Sequence, residues 1–229
     1  MINIDELVKN TWQIQKKYFW TYSGIVALPI AVNVIAVIFM TLAGIGGFLL
    51  WSLGGGILSG ILFIIIWIAL ILFDTWGSVA LVQAIVKEND RVEVIQSFKE
   101  SKHLILPYLW IGILTSLAVA AGLVLLIVPG IIFAIWFCFS SYVLVKEGTR
   151  GTKALSKSKE LVKGKWWAIF SRMVVLTIIA FLISFIAGFV PVIGSFLGSV
   201  LIAPFSIIYI YLIYKDLKQP QTAVQNEIN

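Results

Sequence analysis

The chain has 229 residues, of which 60% are hydrophobic and only 12% are charged, and its formal net charge is +6. Because soluble domains carry about 25% charged residues, this composition excludes an ordinary water-soluble fold and favours a protein embedded in a membrane. Three stretches, 18–73, 104–145 and 173–214, contain neither a charged residue nor a histidine. Since a helix of about 20 apolar residues crosses a bilayer, each stretch can hold two spans.

Glycine and proline interrupt each stretch near its middle, at 43–56, 128–130 and 189–194, and predict a turn at each place. In chain order, the six predicted spans are about 20–42, 57–77, 105–126, 129–146, 167–188 and 195–214. Apolar runs without period-two alternation favour helices over the strands of a barrel. The predicted fold class is therefore all-α, a polytopic membrane bundle of six transmembrane helices arranged as three hairpins.

The charges are distributed very unevenly along the chain. All 17 lysine and arginine residues fall in the segments 1–17, 87–102 and 146–172 and in the tail from Lys215, whereas the three predicted turns are uncharged. Positively charged loops stay on the cytoplasmic side during membrane insertion. We therefore expect both termini and both charged connectors in the cytoplasm and the neutral turns on the other side.

Three segments of the sequence align without gaps, at 8–20, 98–110 and 155–167. Apolar and small hydroxyl residues recur in them at every third position, which indicates one face of an amphipathic helix. Small hydroxyl residues coincide at Thr11, Ser101 and Ser158, and the segments end on Trp20, Trp110 and Trp167. We predict an amphipathic interfacial helix on the cytoplasmic side before each hairpin.

These units define the predicted domain organisation. One membrane domain covers 1–218, with pseudo-repeats at 1–86, 87–147 and 148–218, and a flexible cytoplasmic tail follows at 219–229.

The third amphipathic segment is the most basic. Residues 150–165 contain six basic residues and one acidic residue, Glu160, for a net charge of +5. Each lysine or arginine near an anionic membrane surface contributes about 1 kcal/mol to binding. The predicted contacts to lipid headgroups are Arg150, Lys153, Lys157, Lys159, Lys163, Lys165, Trp166 and Trp167. The alternatives are a topology signal with an anchor, or a site for a partner protein, and the apolar face of the segment packs on the bilayer or on the bundle.

Two ionisable residues are flanked by apolar sequence on both sides, Asp74 and Arg172. Ionisable groups at membrane depth are costly and therefore mark candidate functional sites. We predict an intramembrane ion pair between them, with snorkelling to the interface or a proton or substrate relay as alternatives. Asn33, a further polar residue within a span, is expected to form a hydrogen bond with a neighbouring helix.

Prolines lie at corresponding distances from the charged segments in the first and last spans. Pro29 and Pro204 each remove a helical hydrogen bond and predict helix kinks, for packing or around a transport path. The glycine pairs Gly56/Gly60 and Gly194/Gly198 permit close approach of helices.

Catalytic and metal-binding residue patterns are not found in the sequence. His103 is the single histidine, which excludes the two-histidine metal motifs in one chain, and no G-x-S-x-G or P-loop pattern occurs. Cys138 is the single cysteine, so the chain forms no disulfide within itself. We expect no enzymatic activity, no metal, no cofactor and no nucleic-acid partner.

The run "IVPGIIFAIWFCFSSYVLVKEGTRGTKALSKSKELVKGKWWAIF" resembles a bacterial family of six-span membrane proteins of unknown function. That family also includes the integral-membrane domain attached to some glycerophosphoryl diester phosphodiesterases. The resemblance rests on Pro129 and Gly130 at the start of span four, Glu147 at its end, the connector "AL..S..LVKG..W" and the closing "YKDLK". It implies an architecture and a location in the bacterial cytoplasmic (inner) membrane, but no catalytic residue.

Together these observations predict a non-enzymatic multi-pass protein that acts through membrane lipids, chiefly anionic headgroups, or through membrane protein partners, as a scaffold or an envelope-related regulator. The alternative is a permease or a transport-accessory subunit with a path near Asp74 and Arg172.

Overall fold

The computed structural model describes the backbone of residues 1–51, 56–87, 93–190 and 193–228, and the side chains of 1–41, 60–87, 93–190, 194 and 196–218. The regular structure of these residues is helical, without strands. The helices are α1 (Ile4–Lys17), α2 (Phe19–Trp51), α3 (Gly56–Val86), α4 (Val94–Ser101), α5 (Ile105–Leu125), α6 (Ile127–Phe137), α7 (Ser140–Glu147), α8 (Thr152–Val162), α9 (Trp166–Ala187) and α10 (Ile193–Ile228).

Six helical segments among the described residues are long and apolar enough to cross a membrane. They are Phe19–Thr41, Gly60–Val86, Val94–Leu125, Ile127–Glu147, Trp166–Ala187 and Phe196–Lys218. The prediction of an all-α polytopic bundle with six spans is therefore confirmed, and the chain is a multi-pass membrane protein.

The predicted end of the first spanning helix was wrong, and span four contains an interruption within its predicted bounds. The glycine-rich segment expected to begin a turn at residue 43 continues α2 to Trp51, while residues 52–55 lie outside the described part. Span four is interrupted, because α6 ends at Phe137 and α7 begins at Ser140. Residues 219–228 continue α10, and their side chains lie outside the described residues. The division of the chain into three pseudo-repeats and a flexible tail stays a prediction.

The bundle is packed very differently at its two ends. At one end, here called the charged end, α3, α7 and α10 meet: the hydroxyl of Tyr211 donates to the carbonyl of Val86 at 3.3 Å, and that of Tyr214 to the carboxylate of Glu147 at 2.7 Å. The fully buried side chains of the core lie around this end, including Phe139, Leu144 and Tyr209. Toward the other end, apolar side chains are exposed, as expected for helices solvated by lipid tails.

The three amphipathic helices, α1, α4 and α8, all pack on this core. Their aligned hydroxyl residues, Thr11, Ser101 and Ser158, are each 0% exposed, whereas the aligned tryptophans are all more than half exposed. The apolar face of α8, with Ala154 and Val162 fully buried, packs on α6 and α7. The apolar face of α8 therefore packs on the helix bundle, which was one of the two environments expected for it, the other being the bilayer.

Small residues determine how closely the spans approach one another. A Cβ atom on Gly77 would collide with the ring of Pro29, so this glycine allows α2 and α3 to touch at the proline. The pair Gly194 and Gly198 faces Ala187 of α9 within the same chain. Gly56 lies outside the described side chains, and a Cβ on Gly60 would meet nothing within 4 Å.

The two prolines predicted to kink spans lie inside continuous helices, both with buried rings. Near Pro204, the carbonyl of Leu201 accepts a hydrogen bond from Nε2 of Gln15 at 2.9 Å. Pro204 cannot donate to the carbonyl of Val200, four residues earlier, and the bond from Gln15 reaches the neighbouring carbonyl and ties α1 to α10 there.

Candidate functional site

A surface cavity of about 980 Å³ lies between the α7–α8 loop and the start of α5. We call it the α7–α8 cavity, and it is lined by His103, Leu106, Pro107, Trp110, Gly148, Thr149, Arg150, Gly151, Thr152 and Lys153. The loop depends on glycine, because Gly148 and Gly151 adopt φ angles of +67° and +59°, which strain other residues. Gly151 then begins α8 without a side-chain cap.

The α7–α8 cavity is basic. Arg150, Lys153 and His103 are exposed, and none of their side chains forms a hydrogen bond or ion pair with another described residue. The first backbone N–H groups of α8 add the positive end of a helix dipole, which favours anions. Among the described residues, no acidic side chain lines this cavity.

Trp110 forms one wall of this cavity. A Cβ on Gly151 would lie 3.8 Å from its indole Nε1, and the ring is more than half exposed. Tryptophan prefers the headgroup layer of a membrane, because it combines an apolar ring with a polar N–H group. The cavity thus combines cations with a side chain typical of the membrane interface.

The acidic residue nearest in sequence, Glu147, binds cations of the chain itself. Its carboxylate accepts hydrogen bonds from Lys218 at 2.7 Å, from the Tyr214 hydroxyl at 2.7 Å and from Lys157 at 3.1 Å. Lys157 also donates to the hydroxyl of Thr149 at 3.0 Å. Glu147, the connector and the "YKDLK" segment, on which the resemblance rests, therefore meet at one ion cluster.

This cluster changes the interpretation of the predicted lipid contacts. Lys157 binds Glu147, and the ammonium group of Lys159 lies 4.3 Å from the ring centre of Trp136. Both lysines thus have partners within the protein, which reduces their availability to lipid. The ammonium groups of Lys163 and Lys165 form no hydrogen bond or ion pair with another described residue.

The two predicted interfacial tryptophans differ in environment. Trp167 is 76% exposed, whereas Trp166 is half-buried and stacks on Phe170 with ring centres 5.1 Å apart.

Asp74 is held by α2 rather than by a cation. Its Oδ1 accepts a hydrogen bond from Nδ2 of Asn33 at 2.7 Å, and the same amide nitrogen donates to the carbonyl of Pro29 at 3.0 Å. The expected hydrogen bond between Asn33 and a neighbouring helix is therefore present. Asp74 lines a second cavity, of about 700 Å³, between α2, α3, α9 and α10, which we call the Asp74 cavity.

Arg172 does not meet Asp74 in the structure, so the predicted ion pair was wrong. The guanidinium donates to the carbonyl of Ile2 at 2.6 Å and to that of Ala168 at 2.7 Å. Asp74 instead shares its cavity with Ser184, which lies about 18 Å further along α9 than Arg172. The two ionisable groups therefore differ in depth and have separate partners.

Sequence patterns did not single out the residues that give these sites their shape. The sequence marks Trp110 only as one of three aligned tryptophans. It marks Tyr214 and Lys218 only as parts of the closing motif "YKDLK". The glycines around Arg150 carried a usable signal, since two glycines before a helix predict a turn with unusual backbone angles. Within the described residues, no group of three or more His, Cys, Asp or Glu side chains could hold a metal ion.

Comparison with known proteins identifies one family. The model of UPF0259, an uncharacterised protein family, matches residues 63–215. This region includes the α3 and α9 walls of the Asp74 cavity and all the described lining residues of the α7–α8 cavity. No solved structure matches the chain.

Proposed function

The chain belongs to the uncharacterised protein family UPF0259, and we propose that it is a membrane protein that binds anionic lipid headgroups in the α7–α8 cavity. The observation that carries this proposal is the grouping of Arg150, Lys153 and His103 around one concave surface beside an exposed tryptophan. Arginine pairs with phosphate through two parallel hydrogen bonds, and the start of α8 adds backbone donors.

The cavity would lie in the headgroup layer of the cytoplasmic leaflet. We infer this orientation from the placement of the basic segments, which predicts cytoplasmic N- and C-termini. That leaflet carries anionic lipids, and Arg150 and Lys153 together contribute about 2 kcal/mol to the attraction. The proposed location is the bacterial cytoplasmic membrane.

The proposed role is non-enzymatic, a scaffold or an envelope-related regulator whose lipid contacts position it for membrane protein partners. Metal, cofactor and nucleic acid have no part in it. The absence of a nucleophile–base pair in the sequence patterns supports this proposal. A relationship to the membrane domain of glycerophosphoryl diester phosphodiesterases also remains a proposal, supported by the motifs that meet at Glu147.

Native mass spectrometry of the detergent-purified protein, titrated with phosphatidylglycerol or phosphatidylcholine, tests this function. We expect Arg150→Gln/Lys153→Gln to weaken phosphatidylglycerol binding by roughly 30-fold, which corresponds to about 2 kcal/mol. The matched control is Lys163→Gln/Lys165→Gln, which removes the same charge from the same connector outside the cavity.

The two double variants separate a defined site from a diffuse basic surface. Equal weakening by both would show that only the net charge matters, and unchanged binding in the first variant would refute the site. Inorganic phosphate at the same concentration should not displace the lipid, because it lacks the apolar part that lies beside Trp110.

The second candidate function is that of a permease or a transport-accessory subunit. The Asp74 cavity favours it, since Pro29 and Asp74 line a space between four spans. Arg172 lies outside that space, so a path past both ionisable residues is no longer part of this candidate. Uptake measurements in vesicles with and without Asp74→Asn would distinguish a transporter from a lipid-binding protein.

A further inference from the structure

The Asp74 cavity has the size and the lining of a ligand site. Its volume of about 700 Å³ lies within the range of small-molecule pockets, roughly 300 to 1,000 Å³. Most of the lining is apolar, contributed by residues such as Ile25, Ile30 and Ile202 from the first and last spans. A cavity of this kind holds an apolar body and orients it through a few polar groups.

The only ionisable side chain among the described residues of this lining is Asp74. One carboxylate oxygen binds Asn33, and no lysine, arginine or histidine of the described chain lies within ion-pair distance. Arg172, the basic residue flanked by apolar sequence on both sides, binds the carbonyls of Ile2 and Ala168 instead. The protein thus holds a carboxylate at membrane depth without supplying its counter-charge, an arrangement that favours a cation from outside.

The remaining polar side chains of the described lining are the hydroxyls of Ser78, Ser184 and Ser199, whose oxygens can face a positive charge. Ser78 and Ser184 carry hydroxyl groups, and that of Ser78 donates to the backbone carbonyl of Asp74 at 2.9 Å, so its lone pairs can still accept. Calcium takes six to eight oxygen ligands, which a single carboxylate and a few hydroxyls in an apolar wall do not provide.

The position of Asp74 is well defined by helix packing. Gly77, one turn further along α3, contacts the Pro29 ring, and Asn33, one turn beyond Pro29, binds the carboxylate. The contact between α2 and α3 therefore holds the carboxylate before any ligand arrives, which reduces the entropy lost on binding.

We propose that the Asp74 cavity binds an organic cation with an apolar body, whose charge pairs with the carboxylate of Asp74. This site is distinct from the α7–α8 cavity and depends on none of its residues. The two proposals can therefore fail independently.

Binding of radiolabelled tetraphenylphosphonium to the full chain in phosphatidylcholine nanodiscs tests the proposal, with empty nanodiscs subtracted for partitioning into lipid. The wild-type protein should bind the probe saturably at one site per chain, and Asp74→Asn should weaken binding by about tenfold or more. The control Glu160→Gln, which removes one negative charge on the exposed face of α8, should bind the probe like the wild type.

A second variant keeps the test informative if Asp74→Asn disturbs folding. Ser184→Phe retains the carboxylate but fills part of the cavity, and it should also weaken binding. Equal binding by the wild type and both cavity variants would overturn the proposal, as would the absence of saturable binding to the wild-type protein.

Discussion

Replacing Ser158 by alanine removes a hydroxyl that bridges the interruption in span four. Its Oγ donates to the carbonyl of Trp136 at 2.6 Å and accepts from the N–H of Phe139 at 3.2 Å. Ser158 and Phe139 are both 0% exposed, so water cannot replace these bonds easily. The substitution would leave the carbonyl of Trp136 and the N–H of Phe139 without this partner, at the point where α6 ends and α7 begins.

The expected cost follows from these two bonds. Each buried backbone group left unsatisfied destabilises a fold by about 1 to 3 kcal/mol. Alanine favours the helix by about 0.5 kcal/mol relative to serine, which offsets part of the loss. We expect Ser158→Ala to lower the free energy of unfolding by about 1.5 to 5.5 kcal/mol, and the melting midpoint by several degrees.

The chain provides its own reporter for this measurement. Cys138 is the single cysteine and lies within the interruption, with Sγ donating to the carbonyl of Ile135 at 3.1 Å. Heating the detergent-purified protein with a thiol-reactive fluorescent dye follows its exposure. The matched control is Ser156→Ala on the exposed face of the same helix, which gains the same helix propensity and loses no such bond. Identical melting curves for the two variants would refute this reasoning.

Three further predictions concern packing, docking and orientation. Gly122→Ala should destabilise the protein by about 1 to 3 kcal/mol, because the new Cβ would lie 2.8 Å from backbone atoms of α6. The control is Gly112→Ala on the same helix, where a Cβ meets open space, and it should be neutral or stabilising in the same dye assay. Arg172→Met should release Ile2, just before α1, from α9, and the freed start of α1 should then be cleaved by trypsin about tenfold faster. An unchanged rate would show that other contacts hold α1. In a protein without Cys138, an impermeant maleimide should label Ser156→Cys only in inside-out vesicles and Val190→Cys only in right-side-out vesicles. If both cysteines were labelled from the same side, the six-span topology would be contradicted.

The number and approximate position of the spans could be predicted because these are local properties. A helix must satisfy its own backbone hydrogen bonds in lipid, so the length of an uncharged run is sufficient to identify it. The end of α3 was less predictable. Its last residues, Val79 to Val86, are buried by other helices of the chain rather than by lipid, and sequence composition does not distinguish these two apolar environments.

The candidate sites were predicted only in part, because a side chain's partner depends on which helices are neighbours. Lys157 and Lys163 lie on the same basic segment, but only Lys157 lies close to an acidic residue, Glu147. Similarly, Asp74 and Arg172 are both isolated in sequence, yet each binds a group on another part of the chain.

By itself, the sequence determined that the chain is a helical membrane protein with six spans and that its charges lie between hairpins, since hydrophobicity and charge act on each segment separately. Only the tertiary structure decided which of these charges neutralise one another and which remain for a ligand. That outcome depends on interhelical distances of a few ångströms, which are set by contacts such as Gly77 on Pro29 and by the buried hydroxyl of Ser158.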